Sequence, residues 1–187
     1  MGISFFEDYN KLIFDTIESV DNALLVEAAE LIREVKQSGK KVIIVGNGGS
    51  AAMASHVAVD LTKAAGCRAI TFNETDLITC FANDFGYEDA FQKALEFYMD
   101  KGDAVVLISC SGKSPNILKA ADYVRSRNDF LVTFTGFSAD NPLANKGNLN
   151  FCVKSQAYNI IENMHQVWLL SVCDMIIGKA EYPASPK

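Results

Sequence analysis

The sequence predicts an α/β fold, a mainly parallel sheet of five strands with helices on both faces, preceded by two further helices. Three observations predict it. From Lys41 onward, short Val- and Ile-rich runs alternate with helical patterns. Two of those runs end in loops of glycine and serine that lead straight into helices. The segment before Lys41 has two stretches of helical apolar spacing and no strand-like run.

Taken in order, residues 3–19 place Phe6, Ile13, Ile17 and Val20 at helical spacing, with Glu7, Asp8, Lys11 and Glu18 on other faces. Residues 22–37 repeat the pattern with Leu24, Ala28, Leu31 and Val35, and Gly39 marks a stop. This pair either covers the sheet or packs against a second subunit. Strand-like runs follow at 41–45, 67–72, 104–109, 130–135 and 149–153. Helical patterns fill 49–65, 88–99 and 114–126, and a closing helix spans 158–178. Residues 76–85 read as a short helix or a loop. No repeat, low-complexity tract or linker divides the chain, so 1–187 reads as one domain: helices to 39, the α/β core and closing helix over 40–180, and a loose tail from 181. Pro183 and Pro186 stop that tail from continuing a helix.

With 187 residues, 49% of them hydrophobic, the chain can bury one substantial core. Its net charge is −6 and its pI about 4.9, with no Lys/Arg-rich run, which argues against nucleic acid or an anionic membrane as partner. The opening MGISFFEDYN is acidic and does not resemble a signal peptide, and no apolar run reaches membrane-spanning length. The five cysteines are scattered, odd in number and without C-x-x-C spacing, as expected of a reduced, cytoplasmic protein.

The chemistry gathers at the two glycine/serine junctions. In the first, Gly46-Asn47-Gly48-Gly49-Ser50 joins a buried strand to an Ala-rich helix, and its glycines allow a tight turn and close approach of a ligand. Free N–H groups at the helix start favour an anion. In the second, Ser109, Ser111 and Ser114 offer hydroxyls ahead of a helix whose first turn holds Pro115, and Lys113 adds a cation. Gly112-Lys113-Ser114 is no nucleotide P-loop, because position 107 is Leu, and Gly46-Asn47-Gly48-Gly49 lacks dinucleotide spacing. No nucleotide cofactor is therefore expected. Either loop alone can be an ordinary turn; two at the carboxyl ends of parallel strands favour a small, polyhydroxylated, singly phosphorylated ligand. His56 and Asp60, four apart, share one helix face and form an isolated polar stripe among alanines.

In order and spacing, GNGGSAAMASHVAVDL, FANDFGYED and ISCSGKSPN resemble the sugar-isomerase (SIS) domain of the phosphoheptose isomerase family, over essentially the whole chain. The resemblance implies a five-stranded parallel sheet, a homotetramer with active sites at subunit interfaces, sedoheptulose 7-phosphate or a related sugar phosphate as substrate, and often zinc. It assigns Asn47, Gly48, Gly49, Ser50, Asn83 and Asp84 to the sugar, and Ser109, Cys110, Ser111 and Ser114 to the phosphate. This chain departs from the family's pattern at five positions. Cys110 replaces a threonine, Lys113 an asparagine, Asp60 a glutamate and Glu162 a glutamine, and Leu170 stands where the family has a metal-binding histidine. His165 points some 140° away from position 170 and cannot replace that group. It is three residues from Glu162, which allows the two to act together or leaves His165 structural.

The resulting hypothesis is aldose–ketose isomerisation. Asp60 and Glu162 form the carboxylate pair and His165 carries a proton, while His56, Asp60 and Glu162 hold a divalent metal. The competing class is a non-catalytic SIS protein, either a sugar-phosphate sensor or a scaffold such as the relatives that bind DnaA.

Overall fold

The computed structural model describes residues 2–182. Its elements run α1 (Gly2–Ile17), α2 (Asn22–Gln37), β1 (Val42–Gly46), α3 (Gly49–Lys63), β2 (Ala69–Thr71), α4 (Thr75–Phe85), α5 (Ala90–Tyr98), β3 (Ala104–Ser109), α6 (Pro115–Ser126), β4 (Phe130–Gly136), β5 (Leu149–Val153) and α7 (Tyr158–Ile177). Five strands pair in parallel in the order β2-β1-β3-β4-β5.

Every residue of β1 and β3 is buried, which explains their near-continuous apolar sequence. Side chains alternate across the sheet. Val42, Ile44, Val106 and Phe134 join a core with α2, α3 and α7. Ile43, Val45, Leu107 and Leu131 join the opposite core with α5 and α6.

The element boundaries differ from the sequence reading by a few residues, with one substantive difference. Of the two readings left open for residues 76–85, the helix holds: α4 spans 75–85 and buries none of its residues. Phe6, expected to face inward, is 64% exposed, because α1 meets the core only through Tyr9, Ile13 and Ile17. As expected, α2 stops just before Gly39, whose φ of +68° suits glycine. Of the tail expected to be loose, only Glu181 and Tyr182 lie within the described residues.

Beneath the sheet, at the end remote from the glycine loops, buried charges tie the strands together. The Lys41 ammonium lies 2.6 Å from Asp103 and 2.8 Å from Asp100. Asp103 also accepts the backbone N–H groups of Lys41 and Asp100. Burial opposes the charge on Lys41, and the two carboxylates outweigh it, so its pKa is raised. Asp103→Ala strands two amides and leaves the ammonium only the exposed Asp100 carboxylate, and is expected to lower the unfolding free energy by about 3 kcal/mol, measured by urea titration.

Asp129 behaves in the opposite sense. Burial raises its pKa, but Lys101, Arg127 and the Gly102 N–H more than offset this and hold it below the usual carboxylate range. Its stabilising effect is complete above the unfolded-state pKa of about 4 and is lost as pH falls through the lower folded value.

Candidate active site

From β1 the chain turns to β2 on one side, and from β3 it continues to β4 on the other. Order reversal of this kind opens a crevice beyond the carboxyl ends of the two central strands. The structure has a cavity of about 130 Å³ at this point, lined by both glycine/serine loops and by Tyr158 and Glu162 from the start of α7.

The first loop is shaped by what its glycines lack. A Cβ on Gly46 would stand 2.6 Å from that of Ser50, so the turn closes only without one. Gly48 has φ +55°, a conformation that favours glycine. Gly49 opens α3, and the Glu162 carboxylate lies against it: a Cβ there would meet Oε1 at 2.5 Å and Oε2 at 2.6 Å. The positive end of the α3 dipole thus faces an anionic side chain borne on α7. Asn47 exchanges two hydrogen bonds of 3.0 Å with Asn116 of α6, and the Tyr87 hydroxyl donates to its Oδ1 at 2.8 Å.

The second loop brings Ser109 and Ser114 hydroxyls within 3.4 Å of each other, and Ser114 begins α6 without bonding its backbone. Hydroxyls left free at a helix start are suited to phosphoryl oxygens. Ser111 instead accepts from the Lys113 N–H at 3.2 Å. Gly112, at φ +60°, presses on Asn141 of the β4–β5 connection, where no Cβ would fit. Cys110 is buried, and burial, then the charge of Glu162, push its thiol up to about 11 against a hydrogen bond from Ser50. A thiol held protonated in this way is a poor nucleophile. Mildly alkaline iodoacetamide is expected to label exposed Cys80 and spare Cys110 and Cys173, as read by peptide mass spectrometry.

Of the residues expected at the site, Asn47, Ser50, Ser109, Cys110, Ser111, Ser114 and Glu162 line the cavity, with Gly48 and Gly49 in its first loop. The others lie elsewhere. The Lys113 side chain is exposed and outside the lining. Asn83 and Asp84 are exposed on α4 and bond each other at 2.9 Å.

The reading of His165 as a proton carrier beside Glu162 is corrected. Its ring is fully buried, its Nε2 is 2.8 Å from the Thr135 carbonyl, and it packs edge-on against Phe134. Burial lowers its pKa to about 4, so it is neutral at physiological pH. The reason is the rotation of α7, which directs Glu162 toward α3 and His165 toward the sheet.

The three-ligand metal set is corrected as well. His56 and Asp60 do pair at 3.4 Å, and His56 meets Gln166 at 3.0 Å. Glu162, however, sits at Gly49, about 10 Å up the α3 axis from His56. Asp60 is further still, so the two carboxylates do not act as a pair on one cavity. Among the described residues, no three His, Cys, Asp or Glu side chains converge to hold a metal. The donor set of the described residues therefore does not fit a bound zinc.

Sequence reasoning missed Tyr87, Asn116 and Tyr158. Asn116 left a signal, as a polar residue that closes the serine loop just inside an apolar helix pattern, and Tyr87 lies within the FANDFGYED motif; Tyr158 left none.

Comparison with known proteins bears on the same loops. The profile of the SIS domain matches residues 4–136. The phosphoheptose isomerase of Thermodesulfovibrio yellowstonii is 33% identical over 173 residues, covering 88% of this chain and 85% of that protein. That of Sodalis glossinidius is 39% identical over 115 residues, and the match spans 59% of each protein. Among solved structures, the phosphoheptose isomerase GmhA from Neisseria gonorrhoeae superposes with a TM-score of 0.84 at 26% identity, over 92% of this chain and 96% of that one.

Proposed function

Because the chain belongs to the phosphoheptose isomerase family of SIS-domain proteins, we propose that it interconverts the ketose and aldose forms of a phosphorylated heptose, sedoheptulose 7-phosphate or a close relative. The observation that carries the reading is the Glu162 carboxylate at the mouth of a cavity whose other wall is a serine loop. Ser109 and Ser114, with the α6 N-terminus, hold the phosphoryl group. Glu162 then takes the proton from the carbon beside the carbonyl and returns it to the former carbonyl carbon, while a hydroxyl proton passes between the two oxygens. One base suffices, because the carbon that loses the proton and the one that gains it are neighbours. Asp60 and His165 take no part in this scheme, and no step runs through a metal. His56 and Asp60 supply two donors to any divalent ion such as zinc, and a third His, Cys, Asp or Glu ligand would have to come from beyond the described residues of this chain.

We read the protein as cytoplasmic and as a homo-oligomer, tetrameric by resemblance. Ile3, Phe6 and Phe14 of α1 are 79%, 64% and 68% exposed, and their spacing puts them on one side of the helix, an apolar face suited to a second copy. Light scattering tests that state.

The activity is tested by incubating the protein with sedoheptulose 7-phosphate in deuterated water and following it by NMR. Deuterium entering the carbon next to the carbonyl is expected. Binding without exchange would support the sensor or scaffold reading instead.

A further inference from the structure

The hydrogen bonds around Asn47 fix which of its atoms can meet a ligand. The Ile117 backbone N–H, which can only donate, points at Asn116 Oδ1 at 2.9 Å. That sets the orientation of the Asn116 amide, 2% exposed, and leaves its Nδ2 directed at Asn47. Asn116 Oδ1 in turn accepts from Asn47 Nδ2, so the Asn47 amide is oriented as well. The Tyr87 hydroxyl, facing Asn47 Oδ1, must donate to it. Asn47 Oδ1 thus receives two hydrogen bonds and its lone pairs are filled. Of the two Nδ2 protons, one goes to Asn116, and the other has no partner among these contacts while Asn47 lines the cavity.

We propose that Asn116 and Tyr87 are positioning residues that hold Asn47 as a donor-only contact for the substrate oxygen at the reacting carbons. The inference rests on the isomerase reading above. In that reaction the carbonyl oxygen gains negative charge as Glu162 removes the proton, so an N–H already fixed toward it binds the transition state better than the substrate. An amide free to rotate would offer its carbonyl to the same oxygen half of the time and repel it. Tyr87 belongs to the exposed α4–α5 connection, so its loss removes a single hydroxyl donor and leaves the fold intact.

The test is Tyr87→Phe, with Asn116→Asp as a second variant. Asn116→Asp keeps the acceptor for Ile117 and Asn47 but cannot donate to Asn47 Oδ1. In Tyr87→Phe, kcat is expected to fall about tenfold, while competitive inhibition by inorganic phosphate changes less than about twofold, because the serine loop is untouched. Asn116→Asp is expected to lower kcat at least as much. With asparagine side chains labelled with ¹⁵N, the Asn47 amide is expected to shift when sedoheptulose 7-phosphate saturates the wild type. An unchanged kcat in Tyr87→Phe overturns the proposal, as does phosphate inhibition weakening in step with kcat/KM, and so does an Asn47 amide that ignores the ligand. A wild type that shifts the amide but exchanges no deuterium refutes the isomerase reading and leaves the orientation of Asn47 standing.

Discussion

Replacing Glu162 with glutamine is expected to lower kcat by about 10³-fold while leaving KM for the sugar phosphate nearly unchanged. The amide fills the same space against Gly49 and still accepts hydrogen bonds, so packing at the α3–α7 junction survives. What it cannot do is take a proton from carbon. In the proposed scheme the phosphate is held by the other loop, whose Ser109 and Ser114 hydroxyls the substitution does not touch, so ground-state binding is expected to survive. Steady-state kinetics together with deuterium exchange checks both halves of the statement. A loss shared by kcat and KM would point to Glu162 binding the sugar instead of acting as the base. Activity within a few-fold of wild type would remove Glu162 from the chemistry and reopen the case for Asp60.

The second large effect concerns Gly49. Its φ is not positive, and alanine favours a helix start more than glycine does, so Gly49→Ala should fold at least as stably as the wild type. The new Cβ, however, would stand 2.5 Å from the Glu162 carboxylate and must displace it. Displacing a reacting group by about 1 Å costs on the order of 10² in rate, and that loss is expected here with an unchanged thermal midpoint. In a Glu162→Gln background the same substitution should cost little more, because both changes act through one carboxylate. Gly48→Ala is the contrasting control. Its φ of +55° makes alanine strained, yet nothing lies within 4 Å of the added carbon. It is expected to lose about 1–2 kcal/mol of stability.

The fold was legible in the sequence because its central strands β1 and β3 are buried on both faces and so read as nearly unbroken Val/Ile runs, while the helices between the strands keep their period. Both loops were legible for a related reason, since glycines and serines at a strand's carboxyl end have few structural uses in that number. The orientation of α7 was not legible. Ile160, Ile161, Met164, Trp168, Leu169 and Val172 are all buried, so the helix is apolar almost all round and no polar stripe marks which way Glu162 and His165 turn. Its contacts with α3 and with the sheet decide that, and they put Glu162 at Gly49 and His165 under Thr135. The separation of Asp60 from Glu162 was hidden for the same reason: helical spacing places residues on faces, whereas the distance between two helices along their axes comes from packing. The Asn47–Asn116 pair joins residues 69 apart in sequence, beyond the reach of any local pattern.

Pairing β1 directly with β3 has a consequence for how the protein comes to life. Val42 lies beside Ala104, so the cavity exists only once the intervening chain, with an outer strand and three helices, has been looped out and its ends brought together. Closing so long a loop is entropically slow, whereas α2 and α7 can form their turns locally within microseconds. During refolding from urea, helical circular dichroism should therefore recover well ahead of turnover, and the lag between the two signals would time the meeting of these central strands.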